Sequence, residues 1–152
     1  MKFQNLCIIT LFITLCGTNL VAQNTANDVE AIKAIIQSAY VDGLQNDGDM
    51  DKIDEGFHPD FNLLGIGQNN KMWKLPIEKW KERVVQKVEK GEIPKKGDDR
   101  VTIKFLNVDV TGTAAVAKIE FYIGTKLTYV DYISLYKFGE YWKIVNKIFY
   151  KF

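Results

Sequence analysis

The sequence predicts an α+β fold: a cone-shaped, curved antiparallel sheet with three helices packed in its concavity, in the order α-α-β-β-α-β-β-β-β. Three observations lead there. In the first half of the chain, apolar residues recur at spacings of three and four, the helical period. From Arg100 onward the spacing changes to two, the strand period. The last half then reads as four alternating segments joined by short glycine-containing turns, which is the pattern of an antiparallel meander with one covered face.

The elements follow in order. Asp28 stands where a helix cap is expected, and Val29, Ile32, Ile35, Ile36, Ala39, Tyr40, Gly43 and Leu44 form one stripe of a helix running to about Asn46. Asn46-Asp47-Gly48-Asp49 breaks it. A shorter helix carries Met50, Ile53 and Phe57, and His58-Pro59 stops it. Phe61 to Ile66 reads as a strand, Gly67 to Asn70 as a turn, and Lys71 to Lys74 as a short return strand. Pro76 suits the first position of a third helix, with Ile77, Trp80, Val84 and Val88 as its stripe and Gly91 at its end. Four strands complete the chain at about 100–110, 114–124, 127–138 and 141–151, with turns at Thr111-Gly112, Gly124-Thr125 and Gly139-Glu140.

The first 23 residues read differently. Lys2 precedes an apolar run from Leu6 to Leu15, and a polar, small-residue stretch follows to Gln23. This is the layout of a secretory signal peptide cleaved near Ala22 or Gln23, too short to span a bilayer. A lipid-anchored alternative at Cys16 is disfavoured because Leu15 precedes it. The expectation is therefore an exported chain with a leader at 1–23 and a single domain at 24–152. Both cysteines, Cys7 and Cys16, fall in the leader, which leaves the domain without disulfides, thiol chemistry or a cysteine-held metal.

Charge excludes other partners. The chain holds 20 Lys and Arg against 19 Asp and Glu, so it lacks the net basic character that nucleic acid binding requires. The balance is local rather than uniform. Residues 28–60 are strongly acidic and residues 71–104 basic, which would suit solvated helix faces or the docking of a partner. Asp47, Asp49, Asp51, Asp54 and Glu55 fail as a calcium loop: counted from Asp47, the sixth position is Lys52 instead of Gly and the twelfth is His58 instead of Glu. These acids read better as caps and solvated groups of the second helix. No metal site and no cofactor motif is expected.

Candidate site residues come from the faces of the elements. If Phe138 pairs with Tyr141 in the last hairpin, one face carries Asp131, Ile133, Leu135, Trp142, Ile144, Asn146 and Ile148. This more apolar face should meet the helices, which buries Asp131 and Asn146 and obliges them to find partners or a ligand. One β-bulge would reverse the assignment. Tyr40, on the stripe of the first helix, has a hydroxyl able to reach such a polar group. His58, the one histidine of the sequence, is a candidate general base, since imidazole titrates near neutrality, or simply ends a helix. Trp80 heads the stripe of the third helix and is the best placed of the three tryptophans to stack on a planar ligand.

Tyr40 to Gly48 (YVDGLQNDG), Phe57 to Phe61 (FHPDF), Tyr129 to Leu135 (YVDYISL) and Tyr141 to Phe149 (YWKIVNKIF), with the element order, make residues 27–152 resemble the nuclear-transport-factor-2-like (NTF2-like) superfamily. More narrowly they resemble its putative lumazine-binding group and its polyketide-cyclase-like (SnoaL-like) and ketosteroid-isomerase-like relatives. The resemblance implies the cone fold, a small hydrophobic or heterocyclic ligand, and a homodimer formed through the sheet. In ketosteroid-isomerase-like enzymes it also implies a tyrosine on the first helix, an acidic donor in the later sheet and a carboxylate base on the first strand. Tyr40 and Asp131 fill the first two roles, but Asn62 to Gly67 contains no carboxylate, so proton abstraction beside a carbonyl lacks its base. The expected function is binding of a small apolar or aromatic molecule by Tyr40, His58, Trp80, Asp131 and Asn146. The alternatives are an isomerase, dehydratase or cyclase using His58 as base with Tyr40 or Asp131 as donor, and a purely structural dimerisation module.

Overall fold

In the computed structural model, residues 16–152 are described, with side chains from residue 25 onward. Most of the expected leader therefore lies outside the described residues. The first helix, α1, spans Cys16–Ile35 and continues without a break as a π-helical segment, Ile36–Asp47. Asp28 thus sits inside a helix rather than capping one, and its carboxylate turns to the sheet instead. The π-helical stretch ends at Gly48, whose φ of 71° takes it into the left-handed region and whose N–H returns to the Gly43 carbonyl. Gln37 Nε2 donates to Asp42 Oδ1 at 3.0 Å, five residues on, a pairing suited to the wider turn.

Helix α2 spans Met50–Gly56 and is capped by Asp49, whose side chain accepts from the Lys52 N–H. A Cβ at Gly56 would stand 2.1 Å from that of Ala39, so the glycine is what lets α2 lie against the segment carrying Tyr40. Strand β1 begins earlier than expected, at Phe57, and runs to Ile66. His58-Pro59 therefore belongs to a strand, where proline's fixed φ is tolerated at a position that gives no ladder bond. Strand β2 is Met72–Pro76 and helix α3 is Ile77–Glu89, with Pro76 just ahead of the first helical residue. The meander follows as β3, Val101–Thr111, β4, Ala114–Ile123, β5, Lys126–Phe138, and β6, Tyr141–Lys151. Gly124 and Gly139 turn their hairpins with φ of 57° and 62°. The first hairpin pairs Thr111 with Ala114, so its turn is Gly112-Thr113, one residue later than expected.

The strands form one open, six-stranded sheet in the order β2-β1-β6-β5-β4-β3. It is mixed rather than wholly antiparallel, because β1 pairs with β6 in parallel. That pairing follows from the topology: the whole stretch from β2 to β5 is a crossover that brings the last strand back beside the first. The core fills the concavity with Ile32, Ile36, Leu44, Ile53, Phe61, Ile119, Ile133, Leu135 and Ile144, all essentially inaccessible. Asn46, also buried, joins the end of the first helix to the start of β3. Its Nδ2 donates to the Val101 carbonyl at 2.9 Å and its Oδ1 accepts from Val101 N–H at 2.8 Å. The acidic and basic segments of the sequence meet across the fold: Lys81 pairs with Asp54 at 2.6 Å and Arg100 with Asp47 at 3.4 Å.

Candidate ligand cavity

The register of the last hairpin decides what the cone contains. Phe138 pairs with Tyr141 as expected, but Leu135 pairs with Ile144 and Ser134 with Asn146, which leaves Val145 without an opposite residue. This bulge shifts the parity of everything after it. Lys147 and Phe149 take the inner face, opposite Ile133 and Asp131, while Asn146 and Ile148 turn outward. The expected placement of Asn146 on the inner surface is thus corrected. Its Nδ2 instead donates to the Asn62 carbonyl at 2.9 Å and ties β6 to β1.

Three elements now converge. Asp131, fully buried on β5, receives the Tyr40 hydroxyl on Oδ2 at 2.8 Å. Its Oδ1 lies 2.5 Å from Nζ of Lys147, itself 5 % exposed. The Lys147 ammonium is also flanked by ring faces, 5.1 Å from the Tyr40 centroid, 6.0 Å from Tyr129 and 5.0 Å from Phe149. Burial pushes the Lys147 ammonium below its ordinary value, against the opposing pull of the Asp131 charge. Burial, then the Asp131 charge and the hydrogen bond to it, pushes the Tyr40 phenol well above its own.

This group forms one wall of a cavity of about 160 Å³ lined by Tyr40, Gln45, Leu63, Trp80, Phe121, Tyr129, Lys147 and Phe149. Its rings support one another: Tyr40 meets Trp80 edge-on at 6.2 Å, and Phe121–Tyr129 and Tyr129–Phe149 each stand 5.5 Å apart at steep angles. Among the described residues, Lys147 is the one charged side chain in the lining.

Of the five residues singled out in the sequence, the fold brings together Tyr40, Trp80 and Asp131. His58 is not in the lining. Its ring stacks on Phe138 at 4.8 Å and its Nδ1 accepts the Asp60 N–H at 3.1 Å, a local role at the start of β1. A His58 base and a cavity donor are therefore not assembled into one site. The Tyr40 hydroxyl is committed to Asp131, and Asp131 is an acceptor and counter-ion rather than a donor. Lys147 is the residue the sequence reading missed. Its one signal was the fragility of the hairpin parity, since a single bulge moves it inward.

Comparison with known proteins fits this architecture. The sequence profile of the family described as "Putative lumazine-binding" matches residues 27–150. The chain belongs to that family. An NTF2-like protein of unknown function from Shewanella baltica OS155 superposes with a TM-score of 0.64 at 20% identity, over 84% of this chain and 95% of that one. Another from Silicibacter pomeroyi DSS-3 gives 0.66 at 16% identity over 84% and 98%, and one from Methylobacillus flagellatus KT gives 0.59 at 22% over 83% and 93%. At these identities the likeness establishes the NTF2-like fold. No curated protein matches the chain.

Proposed function

We propose that this protein binds a small planar aromatic or heterocyclic molecule in the cone cavity, as a binding module and not as an isomerase. The observation that carries the reading is the cavity wall itself: five aromatic side chains and one buried, ion-paired lysine around a space of about 160 Å³. Pockets of largely apolar lining with a few placed polar groups are the usual form of small-molecule sites. The family's description supports a heterocycle. The carboxylate that β1 does carry, Asp60, is solvent-exposed and outside the cavity lining, which supports binding without proton abstraction.

Two features complete the proposal. The leader-like residues 1–23 would deliver the domain outside the cytoplasm. The outward face of the sheet exposes Val116, Tyr132, Tyr136, Ile148 and Tyr150, an apolar stripe suited to pairing with a second copy. Light scattering on the purified chain tests that pairing, with a dimer expected and a monomer overturning it.

The binding reading is tested by titrating lumazine while following tryptophan fluorescence and thermal stability. Quenching with a raised melting temperature is expected. Trp80→Ala should weaken binding by about three- to tenfold, the worth of one aromatic contact. No stabilisation by lumazine, together with no co-purifying small molecule in native mass spectrometry, would overturn the reading.

A further inference from the structure

A lysine ammonium carries three N–H donors and no acceptor. At Lys147 one side of Nζ meets Oδ1 of Asp131, and the other neighbours given by the structure are the faces of Tyr40, Tyr129 and Phe149. Ring faces attract a cation but do not take a directed hydrogen bond from it as an oxygen does. Beyond Asp131, and with no further hydrogen bond from Nζ among the described residues, Lys147 thus brings spare donor capacity into a cavity it lines with Gln45 and the rings while only 5 % exposed. A buried donor left without an acceptor is costly, so this site favours an occupant that supplies one.

Charge then selects the kind of acceptor. Lys147 and Asp131 sum to zero, and Oδ2 of Asp131 is already held by Tyr40. A carboxylate ligand would be stripped of water beside a cation that Asp131 has neutralised, with no second cation among the described lining residues to compensate. A hydrocarbon ring would leave the lysine donors unused. A neutral ring carbonyl, as in a lactam, lactone or cyclic ketone, meets both conditions, and the aromatic walls require the ring to be planar.

We propose that Lys147 is the specificity-determining residue of the cavity and anchors the carbonyl oxygen of a neutral planar ring, with Asp131 holding its ammonium in place. The proposal rests on the binding reading above and gives that ligand its chemical class.

Three bicyclic probes of similar shape separate the possibilities by calorimetry at neutral pH: naphthalene without an acceptor, 2-quinolone with a neutral lactam carbonyl, and 2-naphthoate with a carboxylate. The wild type should bind 2-quinolone at least about tenfold more tightly than either other probe, the worth of a hydrogen bond to a charged donor. The paired variant Asp131→Asn with Lys147→Met removes both charges and keeps an acceptor for Tyr40. With folding checked by thermal melt, it should lose the preference for 2-quinolone, the ratio of its affinity for 2-quinolone to that for naphthalene falling from about tenfold to near one. Equal binding of naphthalene and 2-quinolone by the wild type overturns the proposal, as does tightest binding of 2-naphthoate, and either leaves the cavity reading standing. Failure of all three probes also overturns it; the cavity reading falls only if lumazine fails as well and no small molecule co-purifies.

Discussion

Two clusters on the inner face of the last hairpin are built from the same parts and behave in opposite ways. At the cavity, Tyr40 from the first helix, Asp131 from β5 and Lys147 from β6 meet in the interior. Toward the rim, Asp28 from the same helix accepts from Lys137 Nζ of β5 at 2.8 Å and from Trp142 Nε1 of β6 at 2.9 Å. Each is a carboxylate, a lysine and an aromatic donor, drawn from the same three elements. Burial separates them. Desolvation outweighs the ion pair at Lys147 and lowers its basicity, whereas at Lys137 the hydrogen bond to Asp28 prevails and raises it. Asp28 is itself held below its ordinary value, first by the Lys137 hydrogen bond and then by that from Trp142. The rim cluster is a clasp between α1 and the hairpin, and the interior one is a charged group kept in an aromatic cavity, an arrangement that adds little to stability by itself.

Breaking one partner should expose the contrast most strongly. Asp131→Asn leaves the Lys147 charge buried and unpaired and should cost about 3–5 kcal/mol, measured by urea unfolding. Adding Lys147→Met to it should recover most of that loss, because an apolar group then replaces the stranded cation. If the single variant is as stable as the wild type, the interior pair is not the buried contact described here. Tyr40→Phe removes one hydrogen bond to a buried carboxylate and should cost about 1.5–3 kcal/mol in the same assay.

The pH dependence of unfolding sharpens the comparison. Between the lowered value of Lys147 and the ordinary 10.5, the unfolded chain binds more protons than the folded one, so stability should climb with pH across that window. The Tyr40 phenol is raised, so above its ordinary 10.0 the unfolded chain loses a proton the folded chain keeps, and stability should fall. Urea midpoints from pH 8 to about 11 should therefore pass through a maximum. Asp131→Asn with Lys147→Met should flatten the rise and Tyr40→Phe the fall; an unchanged profile in both would contradict the assignment. At the acid end the sign is that of Lys147, opposite to Tyr40: the contribution of Asp28 is present above its ordinary 3.8 and is lost as pH falls through its lowered value.

The rim should yield the smallest effect. Asp28→Ala should cost on the order of 1 kcal/mol, since Lys137, though not the buried Trp142, lies close enough to water to be rehydrated. Ligand binding should be unchanged, because Asp28 does not line the cavity. A loss of lumazine affinity in this variant would show that the two clusters are coupled.

Much of this was legible in the chain itself. The period-two stretches and their glycines set the four-stranded meander to within a residue or two, and the register of its last hairpin at the turn, Phe138 with Tyr141, was readable because turn geometry is local. The stripe on the first helix placed Tyr40 inward, and Asp131 was legible as a polar residue on an apolar face. What tertiary structure alone decided is where local rules compete. The helix runs through Asp28 because a carboxylate at that point finds Lys137 and Trp142 more than a hundred residues away. The mixed sheet required β1 and β6 to meet. Val145 bulges within a ladder whose period is two, so one inserted residue exchanges the faces of all that follow and carries Lys147, instead of Asn146, into the cone. A sequence specifies alternation well, but its phase over a long strand depends on how that strand is bent by the layers against which it packs.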